Sequence, residues 1–332
     1  MSKSIRKSLW TKSFQRAVSA ITRSTLDVCT KALGQAMHPA TTKRQQPPGA
    51  GEWISGVAIG PAGVRRYHLF KPPGVLSSER LPLLVMLHGC GQDANTFALS
   101  TRMNKIASRE RFFVLYPEQD RRANPHGCWN WYGTRSRGAY SEAATLMLAI
   151  DQVCLLYRVD QGSIAIAGLS AGASMGALLV TRYPGRFKAI VMHSGIPPGT
   201  AHSPVSAVGA MLGRRVPVVL GTTTTWPPLM VIHGGADHIV SVSNGQAAAQ
   251  LWAEALGARA GKTRRVRRGK RYGMTVTDFK SKGSTIATLC EVDELGHAWS
   301  GGNPRQRFSD AQGPDASRMA WAFAVRQFRT VR

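Results

Sequence analysis

Short, nearly continuous apolar runs recur along the chain, separated by longer stretches in which apolar positions return at helical spacing. The apolar runs are Leu83–Leu87, Phe112–Tyr116, Ser163–Ala167, Ala189–His193 and Leu229–His233, and Val64–Phe70 ahead of them reads as a strand of mixed character. Runs of this length without polar alternation are what a strand buried on both faces requires. The helical stretches are Phe97–Arg109, Ser141–Tyr157, Ala171–Arg182, Gly245–Leu256 and Ala316–Phe328. Strands alternating with helices predict βαβ units, hence an α/β fold with a mostly parallel sheet and helices on both faces. Tyr272–Thr288 reads as a late hairpin or insertion. No stretch approaches the ~18 consecutive apolar residues of a membrane-spanning helix.

Ahead of the first strand the pattern is different. Lys31–Glu52 contains "HPATTKRQQPPGAGE", the composition of a Pro/Gly-rich linker. It divides the chain into a basic extension with its linker, residues 1–50, and a catalytic domain, residues 51–332. Within the extension, Trp10, Phe14, Val18, Ile21 and Leu26 fall at roughly helical spacing and suggest an amphipathic basic helix. Lys12, Arg16 and Arg23 interrupt any apolar core of 7–15 residues, so no cleavable secretory signal is legible.

Charge adds to this picture. The formal net charge is +25, from 43 Lys and Arg against 18 Asp and Glu. Met1–Pro47 holds nine basic residues and one acid, Asp27, and Lys262–Arg271 holds seven basic residues in ten. Such runs are expected as solvated segments that attract polyanions without sequence specificity and leave catalysis independent of them. The five cysteines, Cys29, Cys90, Cys128, Cys154 and Cys290, form no CxxC pair and no Cys/His cluster at zinc spacing. An odd count argues against a disulfide framework but permits one bridge.

The chemistry concentrates in "IAIAGLSAGASMGALL". Gly168-Leu169-Ser170-Ala171-Gly172 is G-x-S-x-G, and it lies between a predicted strand and a predicted helix. That is the setting of a nucleophile elbow. The turn is so tight that flanking side chains would collide, and the strain lifts the serine hydroxyl clear of the sheet. The Ala171 N–H, at the helix start, is left free to bind an oxyanion. A serine needs a base and the base an orienting acid, in the chain order Ser, Asp or Glu, His. "LMVIHGGADHIV" places Asp237 after a strand and a Gly-Gly turn, and "VDELGHAWSGG" places His297 in a glycine-rich loop. Asp293, Asp310 and Asp315 are rivals for the acid, and His88, His233 and His238 for the base. His193 either lines the cavity or is a core histidine. "LLVMLHGCGQ" supplies a second oxyanion donor, the Cys90 N–H.

"LHGCGQ", "YPEQDRRANPHGCWNWY", "RVDQGSIAIAGLSAGA", "MHSG", "HGGADHIV" and "GHAWSGG" followed by "DAQGPDAS", in that order, resemble the poly(3-hydroxybutyrate) depolymerase-like esterases. These are α/β-hydrolases related to the feruloyl and acetylxylan esterases of carbohydrate esterase family one. The resemblance runs over roughly 56–328. It implies an α/β-hydrolase fold, Ser170, Asp237 and His297 as triad, Cys90 and Ala171 as oxyanion donors, and no metal or organic cofactor. His88, Trp129 and Trp299 are expected to wall the substrate pocket, with Trp131 nearby. Cys90 and Cys128 are expected to pair in an oxidising setting, leaving the other three cysteines as thiols.

The expected function is therefore serine ester hydrolysis through an acyl-enzyme. The expected substrates are short or oligomeric hydroxyalkanoate esters, with feruloyl or acetyl sugar esters as the alternative. Extracellular depolymerases of this kind commonly carry a further substrate-binding domain, whereas this chain stops just past its last predicted helix, so attack on crystalline polymer is not expected. The resemblance implies an extracellular protein, and the absence of a legible signal leaves a cytoplasmic one as the alternative. The rival class is a basic protein that docks on nucleic acid, granules or an anionic membrane. The basic runs lack the aromatic interleaving that stacks bases, so no specific nucleic-acid partner is expected.

Overall fold

The structure, a computed structural model, describes residues 46–218 and 225–329. The expected N-terminal helix, the extension up to residue 45 and Cys29 lie outside the described residues. Strands β1 (Glu52–Gly60), β2 (Gly63–Lys71), β3 (Leu81–Leu87), β4 (Phe113–Pro117), β5 (Val159–Leu169), β6 (Ala189–His193) and β7 (Leu229–Gly234) enter one sheet. So do β8 (Arg259–Ala260), β9 (Arg264–Val266), β10 (Met274–Ser281) and β11 (Ser284–Val292). The order across the sheet is β1-β2-β4-β3-β5-β6-β7-β11-β10-β8, with β9 also on β10. From β4 to β11 every pairing is parallel, and antiparallel strands finish both margins. A separate two-stranded ladder joins β12 (Trp299–Ser300) to β13 (Ser309–Asp310).

Helices α1 (Ala94–Thr101) and α2 (Met103–Glu110) pack with α7 (Ala316–Phe328) on one face of the sheet. Helices α3 (Gly138–Leu156), α4 (Ala171–Arg182), α5 (Pro204–Met211) and α6 (Ser243–Ala255) cover the other. The central strands feed both cores by alternation. In β3, Leu83, Val85 and Leu87 point to one core, and Leu84 and Met86 to the other. Helix α3 is long and apolar enough to cross a membrane by length and composition. Half of it is buried, and it packs on β1 and β2, as the core helix of an α/β fold does.

Two expectations need revision and a third is borne out. The single helix over 97–109 is two helices, because Arg102 adopts the left-handed region at φ 54°. That turn sends its guanidinium to the Gly301 carbonyl at 2.6 Å and the Gly302 carbonyl at 3.3 Å. The late hairpin is present as β10 and β11, and it is also part of the main sheet, because β11 pairs in parallel with β7. The basic run is only partly a solvated loop. Arg264–Val266 forms β9, and Arg264 and Arg265 pair with Asp278 and Asp293.

Candidate active site

Register brings the candidate residues to one edge of the sheet. Leu169 lies opposite His193, His193 opposite Ile232, and Ile232 opposite Cys290. The loops that follow β5, β7 and β11 therefore leave the sheet at the same edge, and they carry Ser170, Asp237 and His297.

Ser170 joins β5 to α4 with φ 55° and ψ −123°, a backbone conformation that costs roughly 1–3 kcal/mol for a non-glycine residue. Its N–H donates to the His193 carbonyl at 2.8 Å, which anchors the turn to β6. The flanking glycines are required by backbone contacts. A Cβ on Gly168 would lie 2.5 Å from the Gly172 carbonyl carbon, and one on Gly172 would lie 2.2 Å from the Leu87 carbonyl oxygen. Any larger residue would push α4 away from β3 and dismantle the turn.

Asp237 is buried at 7% exposure. One carboxylate oxygen accepts the N–H groups of Ile239 and Val240 at 3.0 and 2.8 Å, and the other accepts His297 Nδ1–H at 2.8 Å. Burial alone would raise the Asp237 carboxyl, but the His297 hydrogen bond and charge, with the Val240 N–H, hold it below the usual carboxylate range. The two loops are zipped together by Ala236 N–H to the Leu295 carbonyl at 3.1 Å and Gly235 N–H to the Val292 carbonyl at 2.7 Å. A Cβ on Gly234 would lie 2.0 Å from the Leu295 carbonyl oxygen, which accounts for a glycine in "HGGAD". No hydrogen bond joins Ser170 Oγ to His297 Nε2 in this structure; bonds of this kind commonly tighten only around substrate.

The rival acids have other partners. Asp293 binds Arg265, Asp310 accepts the Gln312 N–H, and Asp315 caps α7 through the Arg318 N–H. Among the rival bases, His233 is buried with Nε2 on the Val240 carbonyl at 2.9 Å, and it supports the loop whose Val240 N–H donates to Asp237. His238 is exposed. His193 is a core histidine. It stacks on Trp299 and accepts the Ser300 N–H at 3.1 Å, and burial pushes its imidazole down to about 3.

Beside the elbow, Gly89 approaches Leu169, and the Gly91 N–H donates to the His126 carbonyl at 2.9 Å. Cys90 and Cys128 form a disulfide with Cα atoms 4.3 Å apart, and Cys154 and Cys290 are free thiols. Neither the Cys90 nor the Ala171 N–H donates to a protein acceptor among the described residues.

The expected pocket wall is a correction. His88, Trp129 and Trp299 each have 0% exposure, so none of them presents side-chain surface to a substrate in this structure. Their polar atoms are consumed in bracing the loops. His88 Nε2 accepts the Gln119 N–H, Trp129 Nε1–H donates to the His88 carbonyl, and Trp299 Nε1–H donates to Ser317. Sequence reasoning missed the buried carboxylate behind the disulfide loop. Glu142 accepts from Gln119 and from the backbone and side chain of Asn130, and Arg65 stands 3.5 Å away. Its only signal was an acid near the start of a largely apolar helix that carries a second acid, Asp151.

Comparison with known proteins adds to the geometry. A family model described as esterase PHB depolymerase matches residues 65–269. Poly(3-hydroxyalkanoate) depolymerase C of Paucimonas lemoignei is 29% identical over 180 residues, 49% of this chain and 42% of that protein. Feruloyl esterase B of Neurospora crassa is 24% identical over 197 residues, 53% of this chain and 65% of that protein. The chain thus spans less than two thirds of either relative. The structure of an acetyl xylan esterase from Aspergillus awamori superposes with a TM-score of 0.59 at 18% identity, covering 75% of this chain and 94% of that one, and shares the fold.

Proposed function

Because the chain belongs to the esterase PHB depolymerase family, we propose that it is a serine carboxylic-ester hydrolase whose catalytic domain is residues 51–332. The observation that carries the reading is the Asp237–His297 hydrogen bond at the same sheet edge as the strained Ser170. With Nδ1–H committed to Asp237, the His297 lone pair is on Nε2, the nitrogen that can take the Ser170 proton. Ser170 Oγ attacks the ester carbonyl, and the Cys90 and Ala171 N–H groups hold the tetrahedral oxyanion. His297 then protonates the leaving alcohol. Water, deprotonated by His297, attacks the acyl-enzyme and releases the acid and Ser170.

Hydroxyalkanoate esters of short or oligomeric length are the substrate class we favour, on the likeness to a depolymerase, with feruloyl or acetyl sugar esters second. The disulfide beside the oxyanion donor supports work in an oxidising, extracellular setting. A panel of p-nitrophenyl acyl esters, hydroxybutyrate oligomers and feruloyl esters decides the class. Highest kcat/KM on hydroxybutyrate oligomers supports the reading, and a preference for feruloyl or acetyl sugar esters moves the protein to the second class. Lys262, Arg268 and Lys270 are exposed, which favours an accessory, salt-sensitive attachment to anionic surfaces. Retention on heparin that persists unchanged after these three are neutralised would show that they do not carry the attachment, and a wild-type protein that heparin does not retain would rule the attachment out.

A further inference from the structure

The loop that carries His297 has little regular structure, so something outside it must fix the imidazole. Its backing is the segment 308–315. Trp299 N–H donates to the Phe308 carbonyl at 2.7 Å, Gly301 N–H to the Asp310 carbonyl at 2.7 Å, and Ser300 Oγ–H to the Pro314 carbonyl at 2.6 Å. The fit is close, since a Cβ on Gly313 would lie 2.3 Å from Ser300 Oγ. A shift of this segment therefore moves the residues that follow His297.

Two arginines grip this assembly from different elements. Arg102, at the break between α1 and α2, donates to the Gly301 and Gly302 carbonyls. Arg271, the last residue of the basic run, donates through Nη1 to the carbonyls of Gly313 and Ala311, and the Tyr272 N–H takes the Gln312 carbonyl between them at 2.9 Å. Three consecutive carbonyls of the backing segment are thus held from Arg271–Tyr272. Arg271 is half-buried, whereas every other basic residue of the run is exposed. Its position is itself fixed, because Arg267 Nε–H donates to the Arg271 carbonyl at 3.2 Å and Asp293 N–H donates to the Gly273 carbonyl at 3.0 Å. A guanidinium has five donors in a rigid fork and no acceptor, which suits it to bridge neighbouring carbonyls.

We propose that Arg102 and Arg271 are positioning residues for the hydrolysis, Arg102 holding Gly301 and Gly302 and Arg271 holding the backing segment, so that the His297 imidazole is kept where its Nε2 can reach Ser170. The proposal rests on the reading of Ser170, Asp237 and His297 given above. It also sets Arg271 apart from the run, whose other hydrogen-bonded members, Arg264, Arg265 and Arg267, bond to Asp278, Asp293 and Arg271 itself.

The test compares wild type with Arg271→Met, Arg271→Lys and Arg102→Met on one p-nitrophenyl ester. Folding is checked by circular dichroism, and the His297 imidazole is followed by NMR. Misplacing a catalytic group by an ångström costs up to about a hundredfold in rate, so kcat of Arg271→Met should fall about tenfold to a hundredfold. KM should stay within about twofold, because no clamp residue binds substrate. The Nδ1 proton signal of His297 should broaden, and Arg271→Lys should recover part of the rate. Folded Arg271→Met with wild-type kcat and an unchanged His297 signal overturns the clamp. Should Arg271→Met fail to fold, Arg271→Lys carries the test: it keeps charge and stem without the fork, so a partial kcat loss at constant KM supports the clamp and a wild-type kcat overturns it. Wild type that neither turns over ester nor takes a phosphonate on Ser170 fails the hydrolase reading instead.

Discussion

His297 Nδ1 lies 2.8 Å from one carboxylate oxygen of Asp237, while the other oxygen of Asp237 holds the N–H groups of Ile239 and Val240. The acid is thus oriented by its own loop before it orients the imidazole. Asp237→Asn should keep this loop, since the amide oxygen can still accept from Ile239 and Val240. Its NH₂ would then face His297 Nδ1 and favour the wrong tautomer. We expect kcat to fall by about 10²–10⁴-fold with little change in thermal stability. A kcat within tenfold of wild type would show that Asp237 does not orient the base.

The disulfide ties the Cys90 donor loop to the Cys128 loop across 38 residues of sequence. In the chain-entropy picture a closure of that length contributes roughly 4 kcal/mol to stability. A Cys90→Ala/Cys128→Ala variant should melt well below wild type. Its kcat should also fall, by less than the ~10²–10³-fold loss of a whole oxyanion donor, because the Cys90 N–H is loosened and not removed. A double variant with unchanged melting and unchanged kcat would separate the bridge from the site.

Acid should unfold the protein through its buried histidines. Burial pushes His193 down to about 3 from 6.5, with the charges of His233 and His297 adding to it, and burial also lowers His88 and His233. For a lowered imidazole the unfolded chain binds protons that the folded one refuses. Stability is therefore fully present above about 6.5 and declines as pH falls toward about 3. The lowered Asp237 carboxyl adds a loss only below the ordinary carboxylate range. The thermal midpoint should be flat above about pH 7 and fall steadily below about pH 6.5, less steeply in His193→Gln. A midpoint that holds from neutral pH down to about pH 4 would contradict this.

The sequence foretold β6, α4 and α7 to the residue, because each is a periodic or continuous apolar segment between sharp turn signals. The G-x-S-x-G turn was legible for a related reason: its glycines answer backbone contacts that no other residue tolerates. Strand β1 was missed because it pairs at the margin, where its apolar residues are mostly half-buried or exposed and its glycines, Gly56 and Gly60, break the run into short pieces. Helix α5 was missed although Ser203 and Ser206 form a capping box. His88, Trp129 and Trp299 were placed near the site correctly along the chain, but one-dimensional pattern does not say which way a side chain points. Their ring nitrogens turned inward to bond the Gln119 N–H, the His88 carbonyl and the Ser317 hydroxyl. The role of Arg271 was hidden by its neighbours, since a run of seven cations looks uniform until one of them is seen gripping a carbonyl.

The most direct test is covalent labelling of the wild-type protein and Ser170→Ala with a fluorophosphonate, followed by peptide mass spectrometry and ester turnover on the same samples. One adduct on Ser170 with complete loss of wild-type turnover, and a folded Ser170→Ala that takes no label and retains at most the residual ~10³–10⁴-fold catalysis over water, is the expected result. Wild-type turnover without label on Ser170, or normal turnover in folded Ser170→Ala, would show that the strained serine is not the nucleophile.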